Sequence, residues 1–288
     1  MTGAQQKASF SRVTALPHPT GPPPPPHYPD LEHFMPRDPK ATGVLKELDQ
    51  VVEDFMNNTR FFHEPFNEGR AQMFVYQHRQ NTRYRNSVLK LKVATNCPDW
   101  ETRLRVIGAA AEEIIADDEH GGGLPHWQIL ENLGLNAGMS KAKIRAATPL
   151  RSTQLAWNAW HGLMDNKHWL LGLVANVVAE RANISGYGKG GELKKHGWFG
   201  HERLRWKKTL GLADDKLGFF KLHEIADEVH SDLGWKNVSK FAKELRMDEQ
   251  VVEAGKQNLA VWEHYLNGIG DAGDILNKEL KRSGRKAA

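Results

Sequence analysis

His223, Asp227 and His230 stand four and then three residues apart within Leu222–Trp235, LHEIADEVHSDLGW. In a helix that spacing puts all three on one face. Two imidazoles and a carboxylate aimed into one volume suit borderline and hard transition metals, iron and manganese among them. A solvated, charged helix face would carry the same three residues. What separates the two readings is whether the rest of the chain supplies partners.

Two stretches do. Glu112, Glu113, Asp117, Asp118, Glu119 and His120 form an acidic run, and His126 follows beyond Gly121–Gly122–Gly123. Carboxylates crowded at a helix C-terminus oppose its macrodipole, so a compensating cation accounts for them better than solvent does. If the helix survived the glycines, Glu112, Glu119 and His126, each seven apart, would share a face. The second stretch is Leu173–Ala182 (LVANVVAERA), where Glu180 stands among valines and leucines. Buried and unpaired there, a carboxylate costs several kcal/mol, roughly, unless it turns to solvent or pairs with Arg181. Glu119, His126, Glu180, His223, Asp227 and His230 together give three carboxylates and three histidines on three helices. That is the ligand type of non-haem di-iron centres in helical bundles, though the Glu-x-x-His pair of the ferritin-like version is absent.

The bulk properties are compatible with this. The chain has 288 residues, 40% of them hydrophobic, and a net charge of +4 drawn largely from a basic stretch, Lys278–Lys286. So mild and local an excess does not argue for nucleic acid. The single cysteine, Cys97, rules out an intramolecular disulfide and any Cys-rich metal site, which fits a reducing cytoplasm. No run of eighteen apolar residues suggests a membrane span.

Three regions follow from composition. Residues 1–40, with Pro22–Pro26 and further prolines, read as an extended or disordered arm. Residues 41–275 read as one helical domain, and 276–288 as a basic tail. Leu45, Leu48, Val51, Val52, Phe55 and Met56 mark the first helix, and Phe74, Val75, Val88, Leu89 and Leu91 a second from about residue 68 to 95. Asp99 is placed to cap a third, predicted from Trp100 to about His120 through Leu104, Ile107, Ala110, Ile114 and Ile115. Pro125 opens a short helix that Gly134 ends. Residues 152–183 read as a long central helix, kinked near Asp165–Asn166, and 186–200 as an exposed glycine- and lysine-rich loop carrying His196, with His201 just beyond it. The motif helix follows, then two more, the last from about Asp248 to Asn267. No period-two run of β-branched residues occurs, so the fold class is all-α.

These residues resemble the haem-oxygenase-like di-metal oxidases, which share their fold with thiaminase II and pyrroloquinoline-quinone synthase. The likeness begins at His63–Glu64–Pro65–Phe66 and Glu68–Gly69–Arg70. It continues through Tyr76 and Gln77, Asn96–Cys97–Pro98–Asp99 and Arg103, and closes with Gly211 and the His-x3-Asp-x2-His of the opening motif. The family's Glu-x6-His followed by Leu-Gly corresponds to Glu119, His126 and Leu133–Gly134, and its mid-helix glutamate to Glu180. The likeness spans about residues 45 to 270. The position of Arg103 departs from the pattern and makes Glu113 with His120 an alternative pair, and the 186–200 stretch is longer than usual.

The resemblance implies a haem-oxygenase-like bundle of about seven to eight helices. It implies two Fe(II) per chain, with manganese as the alternative metal, and dioxygen as co-substrate. The reaction classes are N-oxygenation, desaturation or oxidative C–C cleavage of a small amino-acid-like or fatty-acid-like substrate, often in natural-product biosynthesis, by a cytoplasmic homodimer with neither membrane nor nucleic-acid partners. Trp157, Trp160 and Trp169 are candidates to line the substrate pocket. Three alternatives keep the fold or drop the chemistry: a metal-free oxidase like the quinone synthase, a thiaminase-like hydrolase, and a non-enzymatic binding module. Cys97, in a turn rather than on a core helix, counts against the hydrolase.

Overall fold

A computed structural model describes residues 37–38, 40–118, 123–165 and 168–287, with the side chains of 225, 226, 228–233 and 284–287 excepted. Among the described residues the secondary structure is helical throughout: α1 (Gly43–Asn58), α2 (Arg60–His63), α3 (Glu68–Tyr84), α4 (Lys90–Asn96), α5 (Trp100–Ile114), α6 (His126–Asn136), α7 (Lys141–Ala146), α8 (Arg151–Met164), α9 (Trp169–Arg181), α10 (Gly191–Leu210), α11 (Gly218–Leu245) and α12 (Asp248–Ala287). Most of the arm expected over residues 1–40, residues 1–36, lies outside the described residues.

The helix starts follow local chemistry. The Asn67 side chain accepts from Arg70 N (3.0 Å), the Asp99 carboxylate from Thr102 N (2.9 Å), and the Ser140 hydroxyl from Lys143 N (3.3 Å). Each satisfies an N–H that the helix itself leaves unpaired. Helix α9 is apolar nearly all round, and packs against α11, α12 and α8 as the bundle's central rod. Helix α12 runs alongside α3, α9, α1 and α8 and continues as helix to Ala287, well past the expected end near Asn267.

Its contact with α3 is backbone on backbone. A Cβ at Gly69 would meet Gly273 O at 2.1 Å, and one at Gly273 would meet Arg70 Cα at 2.5 Å. Arg70, buried in that seam, donates to Asp274 (2.8 and 2.7 Å) and Glu64 (2.5 Å), so the close approach also carries an ion-pair network.

Three expectations are corrected. The long central helix is two helices, α8 and α9, with a break where a kink was expected. The 186–200 stretch is an irregular loop only over residues 186–190. Helix α10 starts at Gly191, and Gly197, at φ 68°, lets it kink against the end of α9, where a Cβ would sit 2.0 Å from Asn183 O. Trp198 N donates to Ala182 O across that contact (3.0 Å), and Trp198 and Phe199 are buried. His201 is half-buried rather than exposed.

The third correction concerns which way α5 faces. Trp100, Leu104, Ile107, Ile114 and Ile115 are exposed, while Thr102, Val106, Ala110, Glu112 and Glu113 are buried. The inward face is small and polar because two cavities lie against it.

These contacts give a paired prediction for urea unfolding. Gly273→Ala forces backbone apart and should cost about 1–3 kcal/mol. Gly108→Ala on α5 meets nothing within 4 Å and should instead add about 0.5–1 kcal/mol by removing a helix-interior glycine. Equal effects from the two would contradict the packing.

Candidate metal centre

The site begins where α5 stops. The helix ends at Ile114, short of the glycines, and the chain folds back on itself: Gly123 N donates to Asp117 O (2.9 Å) and Asp117 N to Leu124 O (3.2 Å). Pro125, extended, then starts α6, whose first residue is His126. The reversal returns His126 to the last turn of α5. Its Nε2 lies 2.8 Å from Asp117 Oδ2, and its Nδ1 3.3 Å from Glu113 Oε2.

Single oxygens of Glu112 and Asp117 and one ring nitrogen of His126, all buried, come within 4.8 Å of one another. Glu113 Oε2 and His126 Nδ1 are buried without a hydrogen-bond partner despite their closeness. Oxygen and imidazole groups held together out of water are the donor set that suits a divalent iron or manganese ion, which would take the place of the proton on His126.

Helix α11 supplies the facing wall. His223 Nδ1 hydrogen-bonds Phe219 O (2.8 Å), which fixes the proton on that nitrogen and leaves Nε2 with the lone pair. The His223 and His126 rings are 4.6 Å apart. Asp227 accepts from Asn183 Nδ2 (2.8 Å), so a residue two beyond the end of α9 orients a carboxylate on α11.

From α9 comes Glu180, and from α4 a residue that sequence reasoning missed, Lys90. The Lys90 ammonium lies 3.2 Å from Glu180 and 3.7 Å from Glu113. A π-helical turn over Arg85–Leu89 places it. Residues five apart stand about 140° apart around an α-helix, but i→i+5 bonding brings them nearly into line, so Arg85 and Lys90 both reach inward. Arg85 donates to Ala175 O (2.8 Å) and stacks over Trp160 and Trp262.

These groups surround one cavity of about 40 Å³, lined by Glu112, Glu113, His126, Glu180, His223 and Asp227 together with His78, Arg85, Lys90, Trp198, Phe199 and Trp262. Of the residues expected from sequence, His126, Glu180, His223 and Asp227 therefore meet. His230 belongs to α11, but its side chain is outside the described residues, as are Glu119 and His120. Glu113 joins the site through His126, and its alternative pairing with His120 lies outside the described residues. The single helical face expected from Glu112 to His126 does not form, because the helix ends before the glycines. Glu180 pairs with Lys90, and Arg181 donates instead to Tyr187 (2.9 Å). Trp157, Trp160 and Trp169 all lie outside the cavity wall, though Trp160 packs at a tilt against Trp262, which lines it (4.8 Å).

Electrostatics sort the groups. Burial raises the Glu113 carboxyl, but His126 and Lys90 outweigh it and hold Glu113 at about 2. Burial opposes the charge on His126, yet Glu113 and Asp117 push its pKa up to about 10. Burial, reinforced by His126, brings His223 down to about 3, which keeps it neutral. For Lys90 the surrounding glutamates more than offset burial and raise its pKa. Cys97 is buried beyond the end of α4, its thiol pushed up by burial, and is no nucleophile for this cavity.

An all-helical bundle with histidines and carboxylates gathered at its centre defines a class, and comparison with known proteins names it. Residues 73–263 match the family model of iron-containing redox enzymes. The chain belongs to that family and is a redox enzyme of haem-oxygenase-like fold. Among solved structures it is similar to a domain of unknown function with a heme oxygenase-like fold from Shewanella denitrificans OS217. That similarity has 16% identity, covers 82% of this chain and 91% of the other, and has a TM-score of 0.55. No curated protein matches the chain. No helix among the described residues is long and apolar enough to cross a membrane.

His78, stacked on Phe74 at 4.8 Å, allows a test of this buried environment. Burial holds it at about 3 against an ordinary 6.5. The unfolded chain therefore takes up a proton below pH 6.5 that the folded chain refuses. Stability from this residue is complete above pH 6.5 and is lost as pH falls toward 3, by up to about 1.4 kcal/mol per pH unit. Chemical denaturation between pH 7 and 4 should show a shallower acid slope in His78→Phe than in wild type. An unchanged slope would contradict the assignment.

Proposed function

We propose that this enzyme is a non-haem di-iron oxidase or oxygenase that uses dioxygen on a small organic substrate, in natural-product biosynthesis. The observation that carries the reading is the single buried cavity ringed by His126, His223, Glu112, Glu113, Glu180 and Asp227 in a chain of an iron-containing redox family. The metal would be held by His126, His223 and His230 with carboxylates drawn from Glu112, Glu113, Asp117, Glu119, Glu180 and Asp227. Ferrous iron supplies electrons for dioxygen chemistry when bound.

The protein's own share is positioning and exclusion of water. Phe219 O fixes the tautomer of His223, and Asn183 orients Asp227. Trp198, Phe199 and Trp262 wall the cavity with aromatic surface, so an oxidant formed there meets little solvent. The reaction classes that the resemblance implies, N-oxygenation, desaturation and oxidative C–C cleavage, belong to this proposal.

One observation favours a second reading, a metal-free oxidase that works by acid–base chemistry. Lys90 already brings a cation to Glu113 and Glu180, so part of the carboxylate charge is balanced without metal.

Iron stoichiometry separates the two. Anaerobic protein mixed with ferrous iron and then desalted should retain two irons per chain. His126→Ala and His223→Ala should each cut retention severely, with helix content by circular dichroism unchanged. No retention by the wild type, or retention indifferent to both substitutions, would favour the metal-free enzyme.

A further inference from the structure

On the side of α5 turned away from the cavity, Trp100, Leu104, Ile107, Ala111 and Ile114 stand four, three, four and three residues apart, and Ile115 follows at the C-cap. At 3.6 residues per turn these six fall within an arc of about 100°. The five large ones are exposed, from 41% for Ile107 to 73% for Ile115. Charged Glu101, Arg103 and Arg105 stand outside the arc. A four-three repeat is the seam of paired helices, and here it points away from the chain's own core.

Single exposed apolar side chains are ordinary, whereas a continuous stripe of them marks an interface. At their exposures the five large residues hold on the order of 500 Å² of apolar surface, a size of patch seldom left open. Val88 and Leu91, 42% and 39% exposed on the π turn and α4 that α5 packs against, add to it. The total comes close to the roughly 800 Å² that each partner gives to a specific interface. The stripe also matches itself. Turned end for end about a two-fold axis at Ile107, Leu104 meets Ala111 of a second copy, Trp100 meets Ile114 and Ile115, and Ile107 meets Ile107. With the two helices running the same way, Ala111 would face Ala111 and leave a gap, while paired Trp100 rings would force that end apart. Antiparallel alignment also opposes the two macrodipoles.

We propose that α5 pairs antiparallel with α5 of a second copy, making the protein a two-fold dimer whose seam is this helix. The inner side of the same helix brings Glu112 and Glu113 to the metal cavity, and the second copy holds its outer side. Dimer formation therefore braces the wall that carries two of the candidate ligands. The pairing needs neither metal nor substrate, so it is independent of the oxidase reading.

Light scattering on the full-length protein should give the mass of two chains at micromolar concentration. Ile107→Glu sets two carboxylates against each other on the axis and should weaken the dimer about a hundredfold, with helix content by circular dichroism unchanged. Cysteine cross-linking reads the orientation, because the one native cysteine, Cys97, is fully buried. Under a mild oxidant Ile107→Cys should join to itself. Leu104→Cys alone should not, standing about 9 Å from its own copy along the seam, but it should join to Ala111→Cys when the two variants are mixed. A monomeric wild type, with the face left to residues 1–36 or to another partner, would overturn the proposal. So would a dimer indifferent to Ile107→Glu, or Leu104→Cys joining to itself as readily as Ile107→Cys.

Discussion

Carboxylates do not stay buried in a helical interior unless positive charge is held close to them, and this bundle is arranged around that requirement. Glu112, Glu113 and Asp227 are buried and Glu180 nearly so, brought by three separate parts of the chain to one cavity, with buried Asp117 on the far nitrogen of His126. Against them the fold sets Lys90 and Arg85, with His126 held between Glu113 and Asp117, whose charges push its pKa up. Such a cluster is poor value for stability, since apolar residues would pack there at lower cost. Its persistence is easier to understand as provision for a cation that binds and for chemistry that follows.

That requirement explains two local irregularities. The π turn at Arg85–Leu89 interrupts an otherwise continuous helix, and its effect is to turn a lysine and an arginine toward the same interior. The chain reversal between α5 and α6 opposes the simplest course, a longer helix, and its effect is to return His126 to Glu113 and Asp117. In both places regular hydrogen bonding is given up to bring unlike charges together.

Much of the architecture was legible in the chain. Periodicity and the absence of alternating strands sufficed for an all-helical fold, and the His-x3-Asp spacing placed His223 and Asp227 on one helix. Glu180 stood out because a carboxylate among valines needs a reason. What could not be read was tertiary. Lys90 looks like any lysine in KLKVATN until a widened turn aims it inward, and His78, Trp198 and Phe199 became part of the wall only through packing. Gly186–Gly200 looked like a loop because glycine and lysine usually mean solvent. Yet its glycines serve a close helix crossing, with Gly197 pressed on Asn183.

Helix α5 shows why hydrophobicity alone misjudges such a site. Its apolar stripe, Trp100, Leu104, Ile107 and Ile114, is the one a periodicity argument buries, and it is the one exposed. A helix against solid core must turn its large apolar residues inward to fill space. A helix against cavities must not, because those residues would fill them. Thr102, Val106, Ala109 and Glu112 face inward instead, small enough to leave room and polar enough to address what occupies it. The inverted pattern of α5 is therefore evidence of the same kind as the histidines: both mark the space the protein keeps for something other than itself.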